Sequence, residues 1–569
     1  MRNSELARLL YDISELLEIK GESTFKIRAY AEAARAIEGL TEDIEKVAHE
    51  KRLKEIPGVG ESIAEKLEEY LVAGKLTYHE DLKKQVPEEL HELLKIPGIG
   101  PKTLQFLNKE LGIKSVDELD RAAKEHRLRR LPHFGETKEE NILKAIKRYR
   151  QRSTRIPLGT ALPLVREIID GLKKSGFIEK IEPAGSLRRR KETVGDIDIL
   201  ATSKDQEAAI EAFVRLPLVD EILGKGLTKA TIVTGDAIQV DLRIVESRSF
   251  GTSLQYFTGS KEHNIKLRDL ARQKGFKLSE YDLEEVSSGK KIYCESDDEV
   301  YKKLGLSSIP PEIREDTGEI EAALEGRLPR LVNPGDIKGD FHVHTDWSEG
   351  RNTLEDMIGA AQRLGYEYIA VTDHSKALGV AHGMNEERML AQIEKIQKLN
   401  DTLPDFHIFT GVEVDIKADA SLDFSDDILG QCEVVVAALH TGQRQTRREI
   451  TGRLITAMEN ENVDIIAHPT GRIIGERDAY DVDIDALLDA AAGTGTVLEI
   501  NAYPGRLDLS DFNARKAKNR GVSMAIGTDA HNTGHLGLME FGVNVARRGW
   551  LEKDDLINTL SSKEVRFKV

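Results

Sequence analysis

The chain has 569 residues, 40% of them apolar, 32% charged and only 5% aromatic, which is enough length for several domains with their own cores. No run of about 18 apolar residues occurs, so no membrane span is expected; two cysteines, Cys294 and Cys432, exclude a disulfide framework and fit a reducing cytoplasm. The net charge of −17 is uneven: residues 1–334 carry 57 Lys and Arg against 60 Asp and Glu, whereas residues 335–569 carry 25 against 39, so the first part has room for the basic patches that a polyanion requires.

Residues 1–150 read as helices joined by short Gly/Pro turns, opening on an amphipathic stretch rather than an apolar leader. Within them, IPGVGESIAEKLEEYL (56–71) and IPGIGPKTLQFLNKEL (96–111) repeat 40 residues apart, and LPHFGETKEENILKAI (131–146) is a weaker third copy in which His133 replaces the first glycine. A Pro-Gly-x-Gly turn before a helix aims backbone amides at an anion, so Gly58, Val59 and Gly60, and likewise Gly98, Ile99 and Gly100, are candidate contacts to nucleic-acid phosphates, independent of base sequence.

From about residue 151 the character changes to strands alternating with helices. GSLRRRKETVGDIDIL (185–200) sets four basic side chains just ahead of Asp196 and Asp198. Alternate strand residues share a face, roughly 6.5–7 Å apart, so both carboxylates can reach one hard cation. Asp241 in IQVDLRI offers a third. Such a set suits a pair of Mg²⁺ ions in phosphoryl transfer. Gly185 and Ser186 let the backbone approach a phosphate, Arg189 can pair with it, and Gly195 frees amides beside the carboxylates.

These segments, together with LQYFTGSKEHNIKLRDLARQKGFKLSEY (254–281), resemble DNA polymerase family X, the polymerase beta group, from the N-terminus to about residue 317. The resemblance implies that Asp196, Asp198 and Asp241 bind Mg²⁺ or Mn²⁺, with Asp241 helping to deprotonate a primer 3′-hydroxyl. It implies triphosphate contacts at Gly185, Ser186, Arg189 and Gly195. Tyr256, Phe257 and Gly259 would pass under the deoxyribose, and Asn264 and Arg268 would face the nascent base pair and the template. Lys261, Gln239 and Leu158 depart from the family pattern. The family's Schiff-base lysine for abasic-site lyase chemistry corresponds to Lys66, with Lys26 and Tyr30 nearby and Ser62 in place of a helper lysine. Glu61, Glu65 and Glu68 crowd Lys66 and would raise its pKa, against what that chemistry needs. The implied partners are gapped or nicked duplex DNA and deoxynucleoside triphosphates, acted on by a monomer.

After RLPRLVNPGDIKGD (327–340), which reads as a linker, seven apolar strand candidates alternate with helices: DFHVHT, YIAVTDH, HIFTGVEVD, EVVVAALH, VDIIAHP, TVLEIN and SMAIGTDAH. Nearly all end in His, Asp or Glu, at the strand ends where α/β barrels place their chemistry. His342, His344, Glu349, His374, Glu413, His440, His468, Asp529 and His531 make a nine-residue donor set suited to Zn²⁺, Mn²⁺ or Fe²⁺. His382, His407 and His535 are left as non-ligands, with His382 and His535 placed to face substrate. Residues 335–569 resemble the polymerase-and-histidinol-phosphatase (PHP) domain. That resemblance implies one metal on His342, His344, Glu413 and Asp529, a second on Glu413, His440 and His468, and a third on Glu349, His374 and His531. It also implies a 3′→5′ exonuclease, with incision at abasic sites within the family's range. A phosphomonoesterase for small phosphates and a metal-stiffened scaffold remain as rival readings of this part.

The expected architecture is therefore a multidomain α/β protein. It has helix-hairpin-helix domains at 1–85 and 86–155, a nucleotidyltransferase palm at 156–250 and a small α+β thumb at 251–317. A linker at 318–337 leads to a distorted (β/α)₇ barrel at 338–569.

Overall fold

The computed structural model describes residues 2–20, 22–38, 44–73, 76–85, 93, 96, 99–132, 134–152, 155–377 and 381–567. Two compact units divide the chain, 1–154 and 155–569. Among the described residues, no helix is long and apolar enough to cross a membrane, and both cysteines are free.

The first unit is helical: α1 (Arg2–Ile19), α2 (Thr24–Glu38), α3 (Ile44–His49), α4 (Glu61–Ala73), α5 (Thr77–Gln85), α6 (Pro101–Leu111), α7 (Val116–Lys124) and α8 (Glu136–Arg152). One core runs through it, from Leu6, Leu10 and Ile13 of α1 to Ile142 and Ile146 of α8. The three sequence repeats share one turn. Val59 N donates to Ile56 O at 3.0 Å, Ile99 N to Ile96 O at 3.0 Å and Phe134 N to Leu131 O at 3.1 Å. In each copy a buried apolar residue closes the turn: Val59, Ile99 or Phe134.

The second unit opens with the helix α9 (Leu158–Lys174), which buries Leu158, Ala161, Leu162, Val165, Ile168 and Leu172 at helical spacing. It packs on a five-stranded palm sheet formed by β1 (Lys180–Pro183), β2 (Ile197–Thr202), β3 (Val219–Lys225), β4 (Lys229–Thr234) and β5 (Gln239–Ile244). The strand order is β1-β2-β5-β4-β3. β2 and β5 run parallel, with Asp198 directly opposite Asp241. The thumb follows with α10 (Phe250–Thr258), α11 (Lys261–Gln273) and an antiparallel sheet of β6 (Phe276–Leu278), β7 (Leu283–Glu285) and β8 (Lys290–Ile292).

The seven apolar segments form the barrel strands β9 (Gly339–Val343), β10 (Tyr368–Val371), β11 (His407–Asp415), β12 (Val434–Ala438), β13 (Ile465–Ile466), β14 (Val497–Asn501) and β15 (Met524–Gly527). All neighbours pair parallel, in sequence order. Strands such as VVVAA are buried at every position, as a sheet covered on both faces requires. A parallel bridge between Val343 and Ala530 brings the ends of the sheet together.

The stretch 318–337, expected to be a linker, is part of the packed structure. It carries α12 (Glu319–Leu324), and Ile320, Ala323 and Leu331 join the thumb core. Val332 N donates to Leu551 O at 3.0 Å, tying the segment to the barrel. The prolines and glycines that signal a connector flank these apolar residues and do not prevent their burial.

Palm and barrel form one continuous apolar core, and a set of arginines crosses between them. Arg166 binds both oxygens of Glu540, at 3.0 and 2.6 Å. Arg472 reaches Glu192 at 2.7 Å. From the barrel helix α13 (Met539–Arg548), Arg547 meets Glu312 at 2.8 Å, and Arg548 meets Glu315 at 3.0 Å and the Arg189 carbonyl at 2.7 Å. The contact is close enough that a Cβ at Gly159 of α9 would lie 2.4 Å from the Pro504 Cβ.

Glu319 anchors the thumb. Fully buried, it accepts from His263 Nδ1 at 2.6 Å and from the amides of Asp316 and Thr317 at 2.9 and 2.7 Å. His263 Nε2 lies 2.9 Å from the Tyr301 hydroxyl. Burial lowers the His263 pKa, so the ring is neutral and donates. Burial alone would raise Glu319, but the His263 hydrogen bond and the backbone amides hold it below its ordinary value. Glu319→Ala is expected to cost about 3 kcal/mol by stranding these donors. The expected signal is faster hydrogen exchange across residues 316–324; unchanged protection would remove the anchoring role.

Candidate metal centres

Gly58 adopts φ +81° and Gly60 immediately precedes α4. Gly100 caps α6 with extended backbone and no side-chain bond to its amides. Val59 and Ile99 face inward, 4% and 3% exposed, so the hairpins present backbone rather than side chains. Gly98 lies outside the described residues. On α4, Lys66 Nζ donates to Ser62 Oγ at 2.7 Å and sits 4.9 Å from the Tyr78 ring centre, and Tyr30 stacks on the same ring. The glutamates were expected to raise its pKa; the net direction is down, because burial and nearby Lys26 outweigh Glu65 and Glu69.

At the palm, parallel pairing of β2 with β5 sets Asp198 and Asp241 side by side, and Asp196 stands exposed just before β2. Burial pushes Asp198 up to about 6, and the negative charges of Asp196 and Asp241 add to it, so the three carboxylates share one electrostatic neighbourhood. Lys229 Nζ pairs with Asp241 Oδ2 at 2.8 Å. A recess of about 50 Å³ opens here between Asp198, Asp241, Lys229, Arg243 and Phe257. Gly185 starts a one-turn helix, Gly185–Arg188, beside it. Its φ is +59°, and a Cβ there would lie 2.7 Å from Asp198 Oδ2, so only glycine lets the backbone come so near the carboxylate. Ser186 follows in the same turn, half-buried, and Gly195 is exposed.

Arg189 does not point into this recess. It is 8% exposed and binds Glu315 at 3.0 Å and the Thr258 carbonyl at 2.5 Å. Glu315 and the Thr258 carbonyl hold it on the thumb side, and Gly259 packs against its guanidinium. Tyr256 and Phe257 meet edge to face at 5.2 Å, with Arg243 4.7 Å from the Phe257 ring centre. Asn264 is held inside the thumb, receiving from Gln255 at 2.7 Å and donating to Tyr256 O at 2.7 Å. Arg268 is exposed and donates to Asn264 O at 3.3 Å.

In the barrel all nine expected donors converge. His342, His344 and His374 approach Glu413 Oε2 at 3.3, 3.5 and 2.9 Å. His440 and His468 approach Oε1 at 3.4 and 3.2 Å. Asp529 Oδ1 lies 3.3 Å from His344. Glu349 stands between His374 and His531, at 3.2 and 2.8 Å. Three groups have donor atoms clustered tightly enough for an ion: His342, His344 and Asp529; His374, Glu413 and His440; His344, His374 and His531. Among the buried atoms without a hydrogen-bond partner are His342 Nε2, His344 Nε2 and Glu413 Oε2, which face one another across the cluster, as expected of atoms turned toward a cation. Burial holds His344 down at about 3 and His468 at about 4, so both keep free lone pairs. Burial opposes charge on His374 too, but Glu413 and Glu349 raise it to about 10. His468 and Asp529 adopt φ of +29° and +53°, so two of the donors sit on left-handed backbone.

Two carboxylates escaped the sequence reading. Glu499 binds His342 Nδ1 at 2.7 Å and the His468 amide at 2.6 Å. Asp415 binds His440 Nδ1 at 3.2 Å. Each orients a donor histidine through its far nitrogen. Their signal was present: an acid inside the apolar run VLEIN, and one two residues beyond Glu413 on the same strand face.

Because Asp198 carries a proton below about pH 6, divalent-ion affinity at the palm is expected to weaken as pH falls through that value. Asp196→Asn should move the midpoint down by removing a neighbouring charge. Calorimetric titration with Mg²⁺ across pH 5–8 reads both effects, and a midpoint indifferent to Asp196→Asn would separate the two residues.

Family models match four stretches: a helix-hairpin-helix domain at 1–76, a SAM-like helix-hairpin-helix tandem at 90–148, the DNA polymerase beta thumb at 253–315 and the PHP domain at 340–502. The DNA polymerase/3′-5′ exonuclease PolX of Bacillus subtilis is 40% identical over 567 residues, covering 99% of both chains. A probable phosphatase of Thermoanaerobacter sp. is 32% identical over 232 residues, 39% of this chain and 89% of its own length. One from Shewanella oneidensis is 28% identical over 233 residues, 38% and 86% respectively. With a relative so similar end to end, and a beta-type thumb and a PHP domain in one chain, the protein belongs to the family X DNA polymerases that carry a PHP domain.

Proposed function

We propose that the protein is a DNA-directed DNA polymerase that adds deoxynucleotides to primer 3′-hydroxyls in short gaps during base excision repair. The reading extends to a barrel that trims primers as a 3′→5′ exonuclease, with abasic-site incision also within its reach. The observation that carries the polymerase reading is the register of Asp198 opposite Asp241, with Asp196 close enough to perturb Asp198. These three would hold Mg²⁺ or Mn²⁺, which neutralises charge during in-line phosphoryl transfer. Asp241 is assigned the primer hydroxyl proton. The Gly185 backbone, Ser186 and Gly195 would receive the triphosphate, and Arg189 would join them only on leaving Glu315. Tyr256, Phe257 and Gly259 would wall off a 2′-hydroxyl, while Asn264 and Arg268 face the base pair and the template. The hairpins at 58–60 and 98–100 would hold the phosphates of gapped or nicked duplex, with one chain acting as a monomer. The assigned domains are 1–85, 86–155, 156–250 and 251–317, with the barrel from 338.

In the barrel, His342, His344, Glu413 and Asp529 would hold one ion. Glu413, His440 and His468 would hold another, and Glu349, His374 and His531 a third, drawn from Zn²⁺, Mn²⁺ and Fe²⁺. Such ions activate water for attack on phosphate esters. Phosphatase relatives of the barrel alone keep the phosphomonoesterase reading in view; the DNA-binding helices in this same chain favour a nucleic-acid substrate.

On a labelled primer in gapped duplex, Asp198→Ala is expected to reduce extension by about 100-fold or more while leaving the gel-shift affinity intact. His440→Ala or His468→Ala should remove shortening and leave extension. Shortening that survives both histidine changes would return the barrel to a scaffold. The depressed pKa of Lys66 also favours Schiff-base chemistry at an abasic sugar. Borohydride should then cross-link the protein to 5′-deoxyribose-phosphate DNA, and Lys66→Ala should abolish the adduct.

A further inference from the structure

Beside the donor cluster a cleft of about 500 Å³ opens to solvent, floored by Asp529 and His531 and walled by Arg351, Tyr503, Arg506 and His535. That volume is within the usual range for sites that take a molecule of nucleotide size, about 300–1,000 Å³. Tyr503 is 41% exposed in a chain poor in aromatics, so core packing does not explain it. Its ring and that of His535 lie 5.9 Å apart and inclined by 51°, two faces of one wall.

The wall is fixed relative to the cluster. Asn501 ends β14; its Nδ2 donates to Asp529 Oδ2 at 3.2 Å and its Oδ1 accepts from the Tyr503 amide at 3.0 Å. Tyr503 then opens a turn around Pro504-Gly505, closed by Arg506 N donating to Tyr503 O at 2.8 Å. That turn brings the Arg506 guanidinium back to 3.7 Å from Asp529. On the other side, the Arg351 amide is pinned to His531 O at 2.8 Å. An anionic floor repels phosphate, and two guanidinium groups beside it supply the compensating charge. A bare phosphate ester would need only these; the aromatic wall is surplus to it and fits the flat face of a base.

We propose that Tyr503 and His535 stack against the terminal nucleobase of a DNA 3′ end while Arg351 and Arg506 hold its flanking phosphate. The barrel thereby recognises a nucleotide rather than a phosphate alone. This inference rests on the hydrolytic reading of the barrel. Trimming is compared on primers ending in thymidine or in a tetrahydrofuran abasic residue. The full-length protein should favour the base by about tenfold in kcat/KM, in keeping with one aromatic–base stack. Tyr503→Leu should bring the ratio to within about twofold, and Tyr503→Phe should restore it. In metal-depleted protein, a 3′-terminal 2-aminopurine should be quenched on binding, less so with Tyr503→Leu and fully with Tyr503→Phe. A ratio, or a quench, equal in wild type and Tyr503→Leu overturns the stacking assignment and leaves the hydrolytic reading standing. No trimming of either end with every divalent ion tried overturns both.

Discussion

Carboxylates gathered within a few ångströms repel one another, and each centre depends on how that repulsion is managed. In the palm, burial and two neighbouring acids keep Asp198 half-protonated near pH 6, while Lys229 holds Asp241. In the barrel the problem is larger, and Glu413 answers it by lying among five imidazoles. The raised pKa values of His342 and His374 have the same origin: the surrounding acids favour positive charge beside Glu413. The parallel strands make such crowding reachable, because they deliver the ends of successive segments to one rim.

The same economy of charge joins the two catalytic halves. Arginines from both sides cross the boundary, and nearly all find a carboxylate or a carbonyl. Glu315 is shared by Arg189 of the palm and Arg548 of the barrel. The segment that precedes the palm acids is thus held partly by the barrel. A side chain read locally as a phosphate ligand stands instead at the meeting point of three domains.

Much of this was legible in the chain. All seven barrel strands, the convergence of the His, Asp and Glu residues on and after them, and the pairing of the strands that carry Asp198 and Asp241 follow from apolar runs punctuated by those residue types. The hairpin repeat was visible in its spacing, and its third copy makes the same turn despite the lost glycine. What could not be read depends on encounters between distant segments. Glu499 and Asp415 matter through the far nitrogens of histidines on other strands. Arg189 matters through Glu315 and Arg548, 126 and 359 positions away. The segment 318–337 looks like a connector because composition reports turns and cannot report the thumb core that Ile320 and Leu331 enter. The pKa of Lys66 runs opposite to what its glutamates suggest because charge is visible in a sequence and burial is not.

The fit of Pro504 over Gly159 has a consequence for how such a chain can change. The loop that carries Tyr503 rests on bare backbone at the start of a palm helix, with no room for even a methyl group. A substitution acquired at Gly159, silent for nucleotide addition by every local criterion, would be transmitted as a displacement of the neighbouring hydrolytic rim. The two halves are therefore constrained to drift together at this seam, each limiting the variation open to the other.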